Sequence, residues 1–88
     1  MISAKEKFII KKLARHYRAR RILLFGSSLS RKTARDIDLA VEGLPAKKFF
    51  EFYGDLLFSL LKPVDLIDLS RDSKFTRLVR QEGLTIYG

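Results

Sequence analysis

Leu24-Phe25-Gly26-Ser27 is an apolar segment that ends in a Gly-Ser pair, and ten residues after the glycine the chain reads Asp36-Ile37-Asp38-Leu39-Ala40-Val41. The first segment has the composition of a strand end that leads into a tight turn. The second alternates acidic and apolar residues where it begins, which is the pattern of a half-buried strand. Residues i and i+2 of a strand point to one face, so Asp36 and Asp38 are predicted to project together, with Cα atoms ~7 Å apart. The apolar residues that alternate with them then face a core.

The two carboxylates and the glycine turn together indicate chemistry on phosphate groups. Carboxylates at this spacing can hold and bridge a pair of metal ions about 3.5–4 Å apart. A glycine turn lets backbone amides approach a phosphate that a Cβ would keep away. An acidic pair alone is more often surface charge, but a second acidic strand, Val64-Asp65-Leu66-Ile67-Asp68-Leu69, follows downstream. Because Asp65 can supply a third carboxylate, the combination favours phosphoryl or nucleotidyl transfer.

The two aspartates of the downstream strand are predicted to have different roles. Asp65 and Asp68 have opposite parity along the strand, so both cannot point into one site. We therefore assign Asp65 to the site and interpret Asp68 as a surface or turn charge.

The motifs LFGSS, DIDLAV and PVDLIDLS resemble the minimal nucleotidyltransferase family of the DNA polymerase β superfamily, over essentially the whole chain. The resemblance implies that Gly26 and Ser27 bind a nucleoside triphosphate. We expect the backbone amide of Ser28 to bind a phosphate oxygen as well. The resemblance also implies a catalytic triad that binds two Mg²⁺ ions; its members are Asp36, Asp38 and Asp65. The sequence departs from the family in a shorter Gly-to-Asp connection. Arginines stand where relatives usually have a small residue and a serine, and these are Arg31 and Arg35.

Those two arginines have two interpretations that the sequence leaves open. Arg31 and Arg35 flank the predicted site and can bind the triphosphate. As solvated loop charges they are equally well explained.

Three functions remain in view at this point. The resemblance implies a nucleotidyltransferase, with ATP as the usual donor, that attaches a nucleoside monophosphate to a protein or RNA acceptor and releases pyrophosphate. It also implies the antitoxin of a pair whose toxin is a small helical HEPN-type protein. The second interpretation is a binding module that neutralises such a partner with little or no turnover. The third is a nucleic-acid binder that uses a basic helix.

Length and composition predict one small intracellular domain. The 88 residues allow one core, so we assign residues 1–88 to a single domain. The chain has no cysteine, which removes disulfide frameworks and thiolate metal sites. No apolar run approaches the length needed to span a membrane, and no secretory signal core is evident at the start. The cytoplasm is the expected location.

The charge is concentrated in the first helix. Residues 1–21 contain eight lysines and arginines against one glutamate, whereas the other 67 residues contain ten basic and nine acidic side chains. The protein is therefore a nearly neutral domain with a basic helix at its start, which makes RNA a candidate partner.

Hydrophobic periodicity and turn residues predict a helix at about 4–19 and strands at 21–25 and 37–41, with a turn helix between the strands. A helix at about 46–61, a strand at 64–69, a short helix capped by Ser70 or Asp72, and a last strand at 84–87 follow. This order predicts an α/β (α+β) protein with a mixed sheet and helices mainly on one face. The resemblance implies that this is the nucleotidyltransferase fold of the DNA polymerase β superfamily. The strands that carry Asp38 and Asp65 are expected to be neighbours. The helix at 46–61 is predicted to bury six side chains, namely Phe49, Phe50, Tyr53, Leu56, Leu57 and Leu60.

Two phenylalanines are predicted to lie outside the core. At 100° per residue, Phe8 falls among Lys11, Lys12 and Arg15 on the basic side of the first helix. Phe58 falls on the polar side of its own helix. An aromatic side chain ringed by cations suits a partner that is acidic at its edge and apolar at its centre. We therefore expect the first helix to contact either a toxin or a second copy of this chain.

Overall fold

The computed structural model describes residues 2–26, 29 and 35–88. Within these residues the chain forms three helices and four strands. The helices are α1 (Ala4–Tyr17), α2 (Ala46–Ser59) and α3 (Lys74–Glu82). The strands are β1 (Arg21–Leu24), β2 (Ile37–Glu42), β3 (Val64–Asp68) and β4 (Leu84–Tyr87). The turn helix expected between the first two strands falls largely outside the described residues.

The four strands form one mixed sheet in the order β3-β2-β1-β4. β1 is antiparallel to both β2 and β4, whereas β2 and β3 are parallel. Parallel neighbours need a long crossover connection, and α2 supplies it between β2 and β3. The mixed sheet and the pairing of β2 with β3 confirm the expectations from the sequence.

The sheet is covered on both faces, but unequally. α1 and α2 contribute Ile10, Ala14, Phe52 and Leu56 to the larger cluster of buried residues, together with Ile37 and Leu39 of β2. On the other face, Val79 of α3 packs with Leu23, Ala40 and Leu69 in a smaller cluster. Two of the three helices thus lie on one face, which confirms the predicted arrangement. Ile37 and Leu39 point toward the larger core, as their parity indicated.

The rotation of α2 differs from the prediction. Phe52 and Leu56 are fully buried, and Leu60 just beyond the helix is also buried. Phe50 and Leu57, which were expected inside, are 71% and 50% exposed. The helix is apolar around most of its circumference, so a period of 3.6 residues does not define a single inner face. The inner face is decided instead by contact with α1, where the Phe52 ring lies 5.6 Å from the Tyr17 ring, centroid to centroid.

Polar contacts fix the position of α1. Ser3 caps the helix as predicted, because its hydroxyl accepts from the Glu6 N–H at 3.1 Å and the Glu6 carboxylate accepts from the Ser3 N–H at 2.8 Å. At the other end, the Tyr17 hydroxyl donates to the Asp55 carboxylate of α2. This hydrogen bond, with burial and nearby acidic charge, raises the pKa of Tyr17 to about 12. Tyr17 therefore links the two helices by a hydrogen bond as well as by packing.

The cap of α3 is Ser73 rather than Ser70 or Asp72. The Ser73 hydroxyl accepts from the Thr76 N–H at 3.1 Å, and the Thr76 hydroxyl accepts from the Ser73 N–H at 2.9 Å. Asp72 instead pairs with Arg77 through two hydrogen bonds of 2.8 Å.

Among the described residues, no helix combines the length and the apolar character that crossing a membrane would require.

Candidate active site

Asp38 and Asp65 lie side by side on the sheet. β2 and β3 are parallel, and their register pairs Asp38 with Asp65. Neighbouring strands are ~4.8 Å apart, and residues paired across a parallel ladder point to the same face. Both carboxylates therefore point away from the larger core, on the face that α3 partly covers. Asp65 is exposed and Asp38 is half-buried. The sequence predicted this juxtaposition.

Asp36 is placed differently from the other two. β2 begins at Ile37, so Asp36 precedes the strand, at an exposed bend, and the alternation of a strand does not orient its side chain. Among the described residues, no three histidine, cysteine or acidic side chains are grouped closely enough to hold a metal ion. The structure thus brings two of the three predicted carboxylates into register.

Asp68 has a role in the turn that follows β3. One of its carboxylate oxygens accepts from the Ser70 N–H at 2.9 Å. It pairs in register with Val41, which faces the larger core, so its parity is opposite to that of Asp65. This agrees with the interpretation of Asp68 as a surface or turn charge.

Gly26 lies directly against Asp38. Its φ is +67°, a left-handed conformation that residues with a Cβ rarely adopt. A Cβ built at this position would stand 2.6 Å from Oδ2 of Asp38. The preceding N–H, that of Phe25, donates to the Asp38 carbonyl at 3.0 Å, so the turn is fixed to β2. The absence of a side chain at Gly26 therefore makes room for the Asp38 carboxylate against the turn.

Substituting Gly26 by alanine is expected to damage this site. The left-handed conformation costs a residue with a Cβ about 1–2 kcal/mol, and the new methyl group forces the Asp38 carboxylate to move. We expect a loss of unfolding free energy of about that size, measured by chemical denaturation. Gly54→Ala is the matched control, because nothing lies within 4 Å of its Cβ position, and in a helix it should add about 0.5–1 kcal/mol. A Gly26→Ala protein as stable as the unmodified chain would contradict this account of the turn.

Three predicted phosphate ligands, namely Ser27, Ser28 and Arg31, lie outside the described residues. Arg35 is described and is exposed, one position before Asp36. The contribution of these four residues therefore stays a prediction.

An apolar pocket next to Gly26 was not predicted from the sequence. It has a volume of about 270 Å³, and the described residues that line it include Phe25, Gly26, Leu29, Phe75, Leu78 and Glu82. Phe75 and Leu78 belong to the short helix that the sequence predicted before the last strand, but nothing in the sequence indicated that this helix would face the glycine turn. The two segments are far apart in the chain, so only the fold brings them together.

The family model for polymerase beta nucleotidyltransferases matches residues 7–88. The chain therefore belongs to this nucleotidyltransferase family. Comparison with curated protein sequences gives no match.

Several solved structures that resemble the chain are toxin–antitoxin complexes. The MntA–HpeT complex, in a variant with two Asp-to-Glu substitutions two positions apart, matches with a TM-score of 0.76 and 28% identity, covering 93% of this chain and 72% of the other. The tri-AMPylated HEPN toxin of Shewanella oneidensis in complex with its MNT antitoxin matches with a TM-score of 0.74 and 30% identity, covering 96% and 71%. A toxin–antitoxin complex with AMP-PNP gives a TM-score of 0.73 and 30% identity, covering 98% and 74%. The resemblance to minimal nucleotidyltransferases is thereby confirmed.

Proposed function

We propose that this chain is an antitoxin that transfers AMP from ATP to a hydroxyl group of a HEPN-type toxin, with release of pyrophosphate. The observation that carries the proposal is the pair of carboxylates, Asp38 and Asp65, in register beside the glycine turn at Gly26, which packs directly against Asp38. Membership of the nucleotidyltransferase family supports the reaction class. One similar complex contains an AMPylated HEPN toxin and another contains AMP-PNP, which supports the donor and the acceptor.

The proposed reaction is an in-line displacement at the α-phosphorus of ATP. The acceptor oxygen forms a bond to the α-phosphorus, and the bond from that phosphorus to the oxygen bridging to the β-phosphate breaks. Asp65 takes the proton of the attacking hydroxyl on a carboxylate oxygen, since it is exposed and has room for an acceptor beside it. The turn at Gly26 holds the phosphates, and Arg35 adds positive charge nearby.

Asp38 and Asp65 fit a Mg²⁺ site because two carboxylate oxygens side by side match the preference of this cation for oxygen ligands. Gly26 has no Cβ, so the turn lies directly against Oδ2 of Asp38. We propose that Asp38 and Asp65 would hold the ion, with Asp36 as the third predicted ligand. When bound, Mg²⁺ neutralises phosphate charge and lowers the pKa of the attacking hydroxyl. The MntA–HpeT variant carries its two Asp-to-Glu substitutions at the same spacing as Asp36 and Asp38.

The test of the proposed function uses ATP labelled either at the α- or at the γ-phosphate. The chain is incubated with Mg²⁺ and the HEPN-type protein encoded by the neighbouring reading frame, and label on that protein is measured. We expect label from α-labelled ATP only, and its loss when EDTA removes the metal. Transfer of the γ-phosphate would identify a kinase and contradict the proposal, as would the absence of any label on the partner.

The alternative of a neutralising module without turnover draws on one observation, namely that no three carboxylates are grouped in the described part of the chain. It predicts tight binding of the toxin and relief of toxicity with no AMP transfer, so the same labelling experiment distinguishes the two.

Four further expectations from the sequence stay predictions. They are binding of RNA through α1, a homo-oligomer, a cytoplasmic location and a single domain over residues 1–88.

We propose that α1 forms part of the contact with the toxin. Phe8 is 66% exposed, and it lines a shallow surface pocket together with Lys11, Lys12 and Arg15. An exposed aromatic side chain among cations fits a partner with an apolar centre and acidic edges. The exposure of both Phe8 and Phe58 confirms what the helical pattern predicted.

Replacing Phe8 by alanine is expected to weaken association with the toxin by more than about 1 kcal/mol, because aromatic side chains are frequent interface anchors. The unfolding temperature should change little, since the side chain is exposed. Affinity and thermal unfolding are measured on the same protein. Phe58→Ala, on α2 and 93% exposed, is the matched control and should leave the affinity unchanged. Weakening by Phe58→Ala alone would place the interface on α2 instead.

A further inference from the structure

The geometry points to a nucleobase site in the apolar pocket beside Gly26. We propose that this pocket holds the base of the donor nucleotide, with Phe75 as the stacking residue and Glu82 as the group that favours adenine. The inference rests on the proposed function and deepens it, because it adds how the donor is selected.

The pocket lies next to the proposed site, on the same face of the sheet. The sheet order places Asp65 on β3, Asp38 on β2, and Phe25 with Gly26 at the end of β1. Phe25 packs against the smaller buried cluster, which lies on the sheet face that also carries the Asp38 and Asp65 carboxylates. α3 packs over this same face through Val79, and its Phe75 and Leu78 line the pocket together with Phe25 and Gly26. A nucleotide with its phosphates over Gly26 therefore has this pocket as an immediate neighbour.

The walls of the pocket suit a flat apolar ring system. The Phe25 and Phe75 rings meet edge to face, with centroids 6.0 Å apart and an interplanar angle of 78°. Phe75 and Leu78 remain 52% and 49% exposed. An exposed aromatic face next to a phosphate turn offers stacking, which any base can use. The volume of about 270 Å³ is near the lower end for ligand pockets, about 300–1,000 Å³, and suits a base alone.

Glu82 supplies selectivity among bases. Glu82 is the one charged side chain among the described residues that line the pocket. An ionised carboxylate accepts hydrogen bonds and cannot donate them. It can accept from the exocyclic amine of adenine, whereas it repels the carbonyl oxygen that hypoxanthine carries at the same position. A preference for ATP over ITP follows.

The experiment measures binding of α,β-methylene ATP by isothermal titration calorimetry in Mg²⁺, because transfer cannot cleave this analogue. Phe75→Ala is expected to weaken binding by about 5-fold or more, the low end of base–aromatic stacking. Binding of inorganic tripolyphosphate should stay unchanged. Phe75→Tyr should retain the affinity, and Phe75→Leu, which keeps apolar packing without a ring, should lose most of it. Phe50→Ala, an exposed phenylalanine on the other side of the sheet, is the control.

The outcomes separate this inference from the proposed function. Unchanged analogue affinity in Phe75→Ala overturns the base site and leaves the transferase intact. An equal loss of tripolyphosphate affinity also overturns it, because the residue would then act on the turn rather than on the base. If the unmodified chain binds neither ligand, both proposals fail.

The role of Glu82 is tested by the preference for ATP over ITP, which we expect to be about 5-fold or more in the unmodified protein. Glu82→Gln should abolish this preference. A preserved preference would show that Glu82 does not contact the base.

Discussion

Replacing Asp38 by asparagine is expected to reduce AMP transfer by about 100- to 1,000-fold, the usual effect of removing one key electrostatic group from an active site. Asparagine has nearly the same shape but lacks the negative charge that the proposed metal site needs. Because the replacement is isosteric, the free energy of unfolding should change by less than about 1 kcal/mol. Initial rates of label transfer at saturating ATP and a denaturation curve on the same protein measure the two effects.

Asp68→Asn is the matched control for this experiment. Asp68 lies on the same strand as Asp65 but has the opposite parity, and it accepts a hydrogen bond from the Ser70 N–H. An asparagine oxygen can accept the same bond, so both transfer and stability should stay near those of the unmodified protein. Transfer by Asp38→Asn at the unmodified rate would refute the assignment of Asp38 to the site. Equal losses in both variants would indicate damage to the sheet rather than to catalysis.

Replacing Phe52 by alanine is expected to cost about 3–5 kcal/mol of unfolding free energy, because the change leaves a cavity in a packed core. Phe52 is fully buried between the sheet and α1. Small domains have only about 5–15 kcal/mol of stability in total, so this variant should be close to unfolding at physiological temperature. Chemical denaturation measures the loss.

Phe50→Ala provides the comparison within the same helix. Phe50 is two positions away, is the same residue type and is 71% exposed. Its removal should change the free energy of unfolding by about 0.5 kcal/mol or less, as for most surface substitutions. If Phe50→Ala lost more stability than Phe52→Ala, the rotation predicted from the sequence would be favoured over the one in the structure. Similar losses in the two variants would contradict both rotations.

The strands show how much of the fold the sequence predicts. Alternation over a few residues determines which face each side chain of β2 takes, so the inward position of Ile37 and the outward position of Asp38 were predicted correctly. The opposite parity of Asp65 and Asp68 follows from the same local rule. These features depend only on the geometry of an extended chain, and a one-residue error would have reversed every side chain.

α2 shows where sequence patterns fail. Apolar residues occupy most of its circumference, so the helical period admits several inner faces, and the prediction chose one that included Phe50 and Leu57 and missed Phe52. The energy that decides between them comes from packing against α1 and the sheet. That energy depends on contacts between segments distant in the chain.

The sequence by itself determined the order of the elements, the mixed sheet and the two acidic strands, because each depends on short-range periodicity and on turn residues. The resemblance carried by its motifs predicted the family, which the family model confirms. Only the tertiary structure decided which side of α2 is buried, that Gly26 leaves room for the Asp38 carboxylate, and that Phe75 faces the glycine turn. Those features arise where segments from different parts of the chain meet, and the packing free energy that selects them is not encoded in any single segment.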